Sequence, residues 1–395
     1  MTLPETTSSR WETTEGLPFP LGPTRIDVER AYNFALYSKH AHSVTLLLYT
    51  EIDVVNAVFE YRFDYLKNKT GRVWHCRMPF ESMRGAAYYA YRVEGPAPNG
   101  RSEWHGFDSD KILLDPYAKS VFFPPDFERI KAIQAGSNAG EAPLGVLMGD
   151  SEPFDWQGDH RLPRHEADAI LSELQVGGFT RNPNSAVRDE ARGTVAGLAA
   201  NNPYLTELVV SVVELMPVFQ YDPADGNYWG YMPLNFFSPH PGYLSDHSVQ
   251  AQHNEVRDMI RALHQADIEV VLDVVYNHTG EGDHNGPVYS YKGIDNSTYY
   301  LMADRPDAPY ENFSGTGNTL NTANRAVRKM IMDSARHWVK EMHVDGFRFD
   351  LASLFTRKAD GSVKADDVPM LSDMASAPDL AQLRLIAEPW DAAGV

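Results

Sequence analysis

With 395 residues, 43% of them hydrophobic, the chain is long enough to bury more than one core, and no stretch of about 18 apolar residues marks a membrane span. Its 54 acidic and 35 basic residues give a net charge of −19, which argues against nucleic acid and anionic membranes as partners. The single cysteine, Cys76, excludes a disulfide within the chain, so we expect a protein of a reducing compartment, the cytoplasm.

The first part of the chain is predicted to form a tail, a sandwich and a connector. Residues 1–16 are polar and lack the apolar core of a signal peptide, so we expect a disordered tail. Residues 17–110 hold short runs of β-forming residues between turns, which is typical of a small β-sandwich. Residues 111–168 show little periodicity, and we interpret them as a connector between domains.

Residues 169–395 alternate short apolar runs with helical patterns, which predicts parallel βα units. Two segments carry apolar residues at helical spacing, Val249–Ala266 and Ala326–His343. A TIM (β/α)8 barrel needs eight strands, so about five strands predict an incomplete barrel. The predicted strands are Ala169–Val176, Val209–Pro217, Ile268–Tyr276, Val344–Phe349 and Leu383–Glu388.

Polar residues stand at the ends of the last three predicted strands, where a barrel of this type has its active site. The third strand ends in Asp273, Asn277 and His278, the fourth in Arg348 and Asp350, and the fifth in Glu388. Hydrolysis of a glycosidic bond needs two carboxylates, and this arrangement supplies them. An alternative for part of the set is a purely structural ion pair between Asp273 and Arg348, because a charge inside a barrel must be paired.

The sequence around these residues resembles that of a known family. DVVYNH, GFRFD and the glutamate after the fifth strand are similar to the first three signature regions of the α-amylase family, and the run GNYWGY resembles a further motif. Wider segments, among them HEADAILSELQVGGFT, EMHVDGFRFDLAS and AEPWDAAG, resemble isoamylases and bacterial glycogen-debranching enzymes. The N-terminal sandwich then resembles the glucan-associated module that precedes such barrels.

The resemblance implies a retaining hydrolase of α-1,6 branch linkages in glycogen or amylopectin-like glucans. Asp350 would be the nucleophile and Glu388 the general acid/base, with Arg348 holding Asp350 ionised through a charge-assisted hydrogen bond. Tyr231 would stack its ring on the bound glucose, so that its face and not its hydroxyl matters. The remaining supporting or substrate-binding residues would be Asp273, Asn277, His278 and Trp229.

The sequence also departs from the family pattern. Gln175 and Gly177 stand where the family typically has His and Arg, and the fourth signature region, a His–Asp pair after the seventh strand, is absent before Val395. We therefore expect residues 1–395 to be an inactive or partial fragment. Two other functions stay open, an α-1,4-glucan hydrolase or glucanotransferase and a non-catalytic glucan-binding remnant.

No metal site or cofactor is predicted. The loop after the third barrel strand, Asn277–Asn324, is far longer than most connections, and such loops are commonly functional. Within it, Glu281 and Asp283 stand beside residues 284–286, and their oxygen atoms are of the type that Ca²⁺ prefers. We favour a solvated loop here over a calcium site.

Overall fold

The fold is taken from a computed structural model that describes residues 15–96, 105–149, 153–162, 164–246, 248–305, 307–364, 366 and 368–394. It consists of an N-terminal β-sandwich followed by a five-stranded parallel sheet with helices, as in part of a (β/α)8 barrel. The tail predicted for residues 1–16 lies almost entirely outside the described residues. Among the helices of the described segments, none combines the length and the apolar character needed to cross a bilayer.

The sandwich consists of two antiparallel sheets whose long central strands are buried along most of their length. The rings of Phe34 and Tyr89, one from each sheet, lie 5.6 Å apart between centroids in the shared core, where Trp74 and Cys76 are also fully buried. The first sheet contains β1 Gly22–Ile26, β2 Ala31–Tyr37, β5 Lys69–Thr70 and β6 Val73–Pro79. The second contains β3 Ser43–Tyr49, β4 Phe59–Arg62, β7 Tyr88–Glu94, β8 Val121–Phe122 and β9 Leu144–Val146.

Strands β8 and β9 come from the range that the sequence presents as a connector. Both are very short, and β9 pairs with β7 on one side and with β8 on the other. Together with Ile112 they bury the outer face of β3 and β7 in a second, smaller apolar cluster. The first part of the connector is therefore built into the sandwich, where it extends one sheet and packs on its outer face.

The barrel sheet has the strand order β10-β11-β12-β13-β14, with every pair parallel. Each strand lies within the range that its apolar run predicted, and the three inner strands are buried on both faces, as continuous apolar segments indicate. The strands are β10 Leu171–Leu174, β11 Val212–Leu215, β12 Glu269–Val274, β13 Gly346–Phe349 and β14 Arg384–Ala387.

Two long amphipathic helices pack on this sheet, and both were predicted within one residue at each end. They are α5 Val249–Gln265 and α7 Arg325–Met342, and each turns a stripe of apolar residues to the core. The indole of Trp338 on α7 is fully buried and donates to the main-chain oxygen of Phe236 at 2.9 Å. Shorter helices complete the described part: α1 Arg129–Ile133, α2 Val176–Phe179, α3 Val195–Ala200, α4 Asn202–Glu207, α6 Tyr291–Tyr299 and α8 Pro369–Ser376.

The sandwich contacts the long loop of the barrel through a buried carboxylate. Asp295 lies at a kink inside α6, where its backbone leaves helical geometry, and its side chain is fully buried. It accepts hydrogen bonds from the main-chain N–H of Lys39 and from Nδ1 of His40, the latter at 2.6 Å. Next to it, Ser38 Oγ donates to the main-chain oxygen of Ile294 at 2.7 Å. The turn between β2 and β3 is thus bonded to the loop that begins at the site described below.

Candidate active site

The register of the barrel sheet brings the predicted polar residues together. Asp273 on β12 is the direct neighbour of Arg348 on β13, and Asp350 and Glu388 follow the ends of β13 and β14. Because parallel strands end at one edge of the sheet, these side chains gather at the carboxyl-terminal side of the barrel.

Arg348 is the centre of the cluster. One terminal nitrogen of its guanidinium lies 2.6 Å from Asp273 Oδ2 and the other lies 2.6 Å from Glu388 Oε1. Glu388 is held from a second side, since its Oε2 accepts the main-chain N–H of Leu351 at 3.0 Å. Burial opposes the charge on Arg348, but the surrounding carboxylates outweigh it and raise the pKa of the guanidinium. The cation is therefore permanent, and it is shared between two carboxylates.

Asp350 takes its hydrogen bonds from an amide. The Nδ2 atom of Asn277 donates to Asp350 Oδ2 at 2.7 Å and to the main-chain oxygen of Asp350 at 2.8 Å. This differs from the expectation that Arg348 bonds to Asp350: the two guanidinium termini are taken by Asp273 and Glu388, which flank the arginine in the sheet. Arg348 acts on Asp350 only through its electric field.

Burial shifts the proton affinities of this cluster upwards. It raises the pKa of Asp350 to about 6, with the nearby Glu388 adding to the shift and the Asn277 amide opposing it. Burial likewise raises the pKa of Asp273 to about 7 against the opposing effects of Tyr231 and Arg348. One oxygen of Asp273, Oδ1, has no hydrogen-bond partner among the described residues. The cluster therefore holds more carboxyl groups than its single arginine neutralises, and it binds protons near neutral pH.

His278 and Tyr231 close the other side of the cluster. Nε2 of His278 donates to the main-chain oxygen of Tyr231 at 2.7 Å, and Nδ1 faces a second oxygen, Oδ1 of Asn277. Burial nevertheless lowers the pKa of this histidine to about 4. The hydroxyl of Tyr231 donates to Asp273 Oδ2 at 2.5 Å, so the hydroxyl has a partner of its own. Trp229 stands outside this network: 61% of it is exposed, and its ring centroid lies 6.4 Å from that of Tyr231.

Comparison with known proteins identifies the family. Residues 178–380, about half of the chain, match the catalytic domain of α-amylase. The chain belongs to the α-amylase family. Residues 20–118 match carbohydrate-binding module 48, the isoamylase N-terminal domain.

Similar proteins cover nearly the whole of this α-amylase-family chain. Isoamylase 3 of rice chloroplasts is 42% identical over 96% of this chain and 50% of its own length, and a glycogen operon protein GlgX homologue of Mycobacterium bovis is 40% identical over 95% and 53%. The chain thus spans about half the length of these relatives. The catalytic module of the glycogen-degrading pneumococcal virulence factor SpuA aligns over 95% of this chain and 52% of that one, with a TM-score of 0.74 and 22% identity, which shows the shared fold.

Two positions depart from the family pattern, and the structure shows what occupies them. Gln175 caps α2 by accepting from the main-chain N–H of Gly178, and its Nε2 donates to the main-chain oxygen of Tyr228 at 2.9 Å and to the Tyr243 hydroxyl at 3.0 Å. Gly177, within α2, has the side chains of Gln175 and Tyr243 within van der Waals distance of where its Cβ would lie. Gln175 thus holds the main chain at Tyr228, in the run that contains Trp229 and Tyr231.

The stretch considered for calcium is exposed from Asp283 to Asn285, whereas Glu281 beside it is buried. Glu281 is 1% exposed, and its carboxylate accepts the main-chain N–H groups of Tyr289, Ser290 and Lys292 as well as the Tyr300 hydroxyl. The ammonium of Lys292 donates to the main-chain oxygens of Glu281 and Asp283. The expectation of a solvated loop is wrong for Glu281, because these internal hydrogen bonds replace water and the lysine supplies the positive charge.

One charged residue of the site was not predicted. Glu214 lies inside β11, only 7% exposed, between the fully buried Val213 and Leu215. Its carboxylate lies 3.9 Å from Nε of Arg348. The sequence could have indicated this residue, because Glu214 is the one charged residue in the apolar run VVSVVELMPV. Burial of such a charge is costly unless a cation in the barrel interior pairs with it.

Proposed function

We propose that the full-length protein hydrolyses α-1,6 branch linkages of glycogen or amylopectin-like glucans with retention of configuration. The observation that carries this proposal is the carboxyl pair Asp350 and Glu388 at the ends of neighbouring strands, close enough that Glu388 raises the pKa of Asp350. Hydrolysis of a glycosidic bond requires such a pair of carboxyl groups, and retention is what membership of the α-amylase family implies. The names of the two relatives, an isoamylase and a glycogen operon protein, support a branched glucan as substrate.

In this mechanism Asp350 attacks the anomeric carbon while Glu388 protonates the leaving oxygen. Water then opens the covalent intermediate with Glu388 as the base. Asp350 binds a proton more readily than an isolated carboxyl does, but it must be ionised when it attacks, with the proton of the pair on Glu388. The Asn277 amide favours this distribution, because its hydrogen bond stabilises the ionised form of Asp350.

The other residues bind and orient the sugar. His278 is held by the backbone of Tyr231, so the two residues form one wall of the site. The Tyr231 ring offers a flat face for the glucose, with its orientation fixed by Asp273. Trp229 is exposed enough to contact glucan outside the carboxyl cluster. The one cysteine of the chain is buried, and we propose a reducing, cytoplasmic location.

Product analysis tests the proposal. The full-length protein is incubated with glycogen and, separately, with linear amylose, and reducing ends, chain lengths and the anomer first released are measured. We expect linear chains from glycogen, the α-anomer first, and little release from amylose, and both Asp350→Asn and Glu388→Gln should lower kcat by orders of magnitude. Equal cleavage of amylose would favour α-1,4 hydrolysis, the β-anomer would exclude double displacement, and glucan binding without cleavage would favour a binding protein.

A further inference from the structure

The guanidinium of Arg348 has a carboxylate opposite each of its three nitrogens. The terminal nitrogens lie 2.6 Å from Asp273 and 2.6 Å from Glu388, while Nε faces Glu214 at 3.9 Å. The first two are hydrogen bonds, whereas 3.9 Å is too long for one, so Glu214 acts on the arginine through its charge.

Glu214 is placed there by the sheet. On β11 it pairs with Glu173 of β10 and with Val271 of β12, and its side chain faces the barrel interior. Oxygens of Glu173, Glu214 and Asp273 lie within 4.8 Å of one another. Burial raises the pKa of Glu214, with Arg348 opposing the shift and Glu173 and Glu388 adding to it. A buried acid among acids contributes little to folding, which indicates another reason for its presence.

The reason lies in how the positive charge of Arg348 is shared among its carboxylate partners. A cation hydrogen-bonded to a carboxyl group favours the ionised form, but a general acid must carry a proton before it can donate one. Negative charge on the far side of the guanidinium weakens this stabilisation of the ionised carboxyl by the cation. Asp273 supplies part of that charge, yet burial keeps Asp273 partly protonated near neutral pH.

We propose that Glu214 is a positioning residue of the active site. Its negative charge attracts Nε of Arg348 and so weakens the attraction between this arginine and Glu388, the proton-donating carboxyl. The inference rests on the proposed function, in which Glu388 is the general acid. The charged and titratable groups that face this unit from the surrounding elements are Glu173, Glu214, Tyr231, Asp273, Arg348, Asp350 and Glu388.

Glu214→Gln in the full-length protein tests the inference, because it removes the charge and keeps the volume. Arg348 then acts more strongly on Glu388, so the alkaline limb of the kcat/KM profile on glycogen should move to lower pH by roughly 0.5 to 1 unit, as expected for one charge a few ångströms away. At the alkaline end kcat should fall while KM changes little. Glu214→Asp, which keeps the charge, should leave the limb near its original position.

Glu173→Gln is the matched control, since it removes the same charge from the neighbouring strand at an exposed position. It should move the limb less than Glu214→Gln does. An unshifted limb in Glu214→Gln, or an equal shift in both variants, would overturn the inference while leaving the proposed function intact if the wild type debranches glycogen.

Thermal unfolding supplies a readout that does not depend on hydrolysis. Removing a buried charge among like charges should keep the Tm of Glu214→Gln at pH 7.5 equal to or above that of the wild type. A Tm several degrees lower, with the pH profile unmoved, would show that Glu214 serves only the fold. If the wild type does not hydrolyse glucan at all, the proposed function fails, and the Tm result still decides whether Glu214 is there for stability.

Discussion

The side-chain amide of Asn277 donates to Oδ2 of Asp350 at 2.7 Å and to the main-chain oxygen of the same residue at 2.8 Å. The amide therefore fixes both the orientation of the carboxylate and the end of the strand that carries it. Asn277 itself follows β12, so its position depends on the register between β12 and β13. The orientation of the proposed nucleophile is thus a property of two strands and not of Arg348.

Replacement of this amide should lower turnover. Asn277→Ala removes the hydrogen bond to a charged, buried oxygen, and we expect kcat on glycogen to fall about 10- to 100-fold, which corresponds to the usual ~1.5–3 kcal/mol of such a bond. Asn277→Asp is the comparison, because a second carboxylate beside Asp350 should move the acid limb of the profile to higher pH. Unchanged kcat in Asn277→Ala would refute this role.

Asp350→Asn should make the protein more stable near neutral pH. The pKa of Asp350 is raised to about 6 in the folded state from 3.8, so the folded state binds more protons than the unfolded state between these values. Stability is therefore lost as the pH rises from about 4 to above 6, and it is not regained at higher pH. The ionised carboxylate costs up to about 3 kcal/mol at pH 7.5.

Chemical denaturation at two pH values measures this effect. We expect Asp350→Asn to unfold at a higher denaturant concentration than the wild type at pH 7.5, with the difference vanishing at pH 4. Asn277 can still donate to the new amide oxygen, so the substitution breaks no other contact. A variant that is less stable at pH 7.5 would contradict the upward shift.

Tyr231→Phe should impair activity. If only the face of the ring mattered, the substitution would leave activity unchanged. The substitution removes the donor at 2.5 Å from Asp273 Oδ2, a carboxyl whose other oxygen already lacks a partner among the described residues. We expect a fall in kcat of about tenfold, matching one buried hydrogen bond of ~1–2 kcal/mol, and a larger fall for Tyr231→Ala, which loses the stacking face as well. Wild-type kcat in Tyr231→Phe would show that only the ring matters.

The amino-terminal side of the barrel carries a pH-dependent contact. His264 on α5 lies between Asp159 and Asp345, at 2.8 Å from each, and all three side chains are buried. Burial opposes the charged ring, but the two carboxylates outweigh it and raise the pKa of His264 above its usual value. The contact therefore stabilises the fold fully below pH 6.5 and loses its effect as the pH rises through the folded-state pKa.

Melting curves of His264→Asn against the wild type reveal this contact. The difference in Tm should be about 2 °C or more at pH 5.5 to 6 and smaller at pH 9. His343→Asn is the control, because His343 bonds to the same Asp159 at 2.7 Å but is partly exposed and should contribute less. A Tm difference that grows toward pH 9 would contradict a charged His264.

Some of these features could be predicted from the sequence and others could not. Asp273, Arg348 and Asp350 were predictable because each interrupts or ends an apolar run, and the parallel sheet then fixes where such residues meet. The partners of Arg348 were not, since register and side-chain direction decide which carboxylates it reaches. Helix α6 was missed because its polar residues, among them Lys292 and Asp295, are buried by contacts with distant segments.

The bonds from Lys39 and His40 to Asp295 limit how the parts of this protein can be recombined. In a chimera whose sandwich lacks a histidine at this place and has a different turn, Asp295 would remain buried at a kinked helix without these donors, at a cost of about 1–3 kcal/mol or more for a charged group. The loop that starts at Asn277 and His278 would bear that cost directly. A chimera with a foreign sandwich should therefore keep residues 38–40 of this chain or replace Asp295. Evolution by shuffling whole modules would face the same requirement.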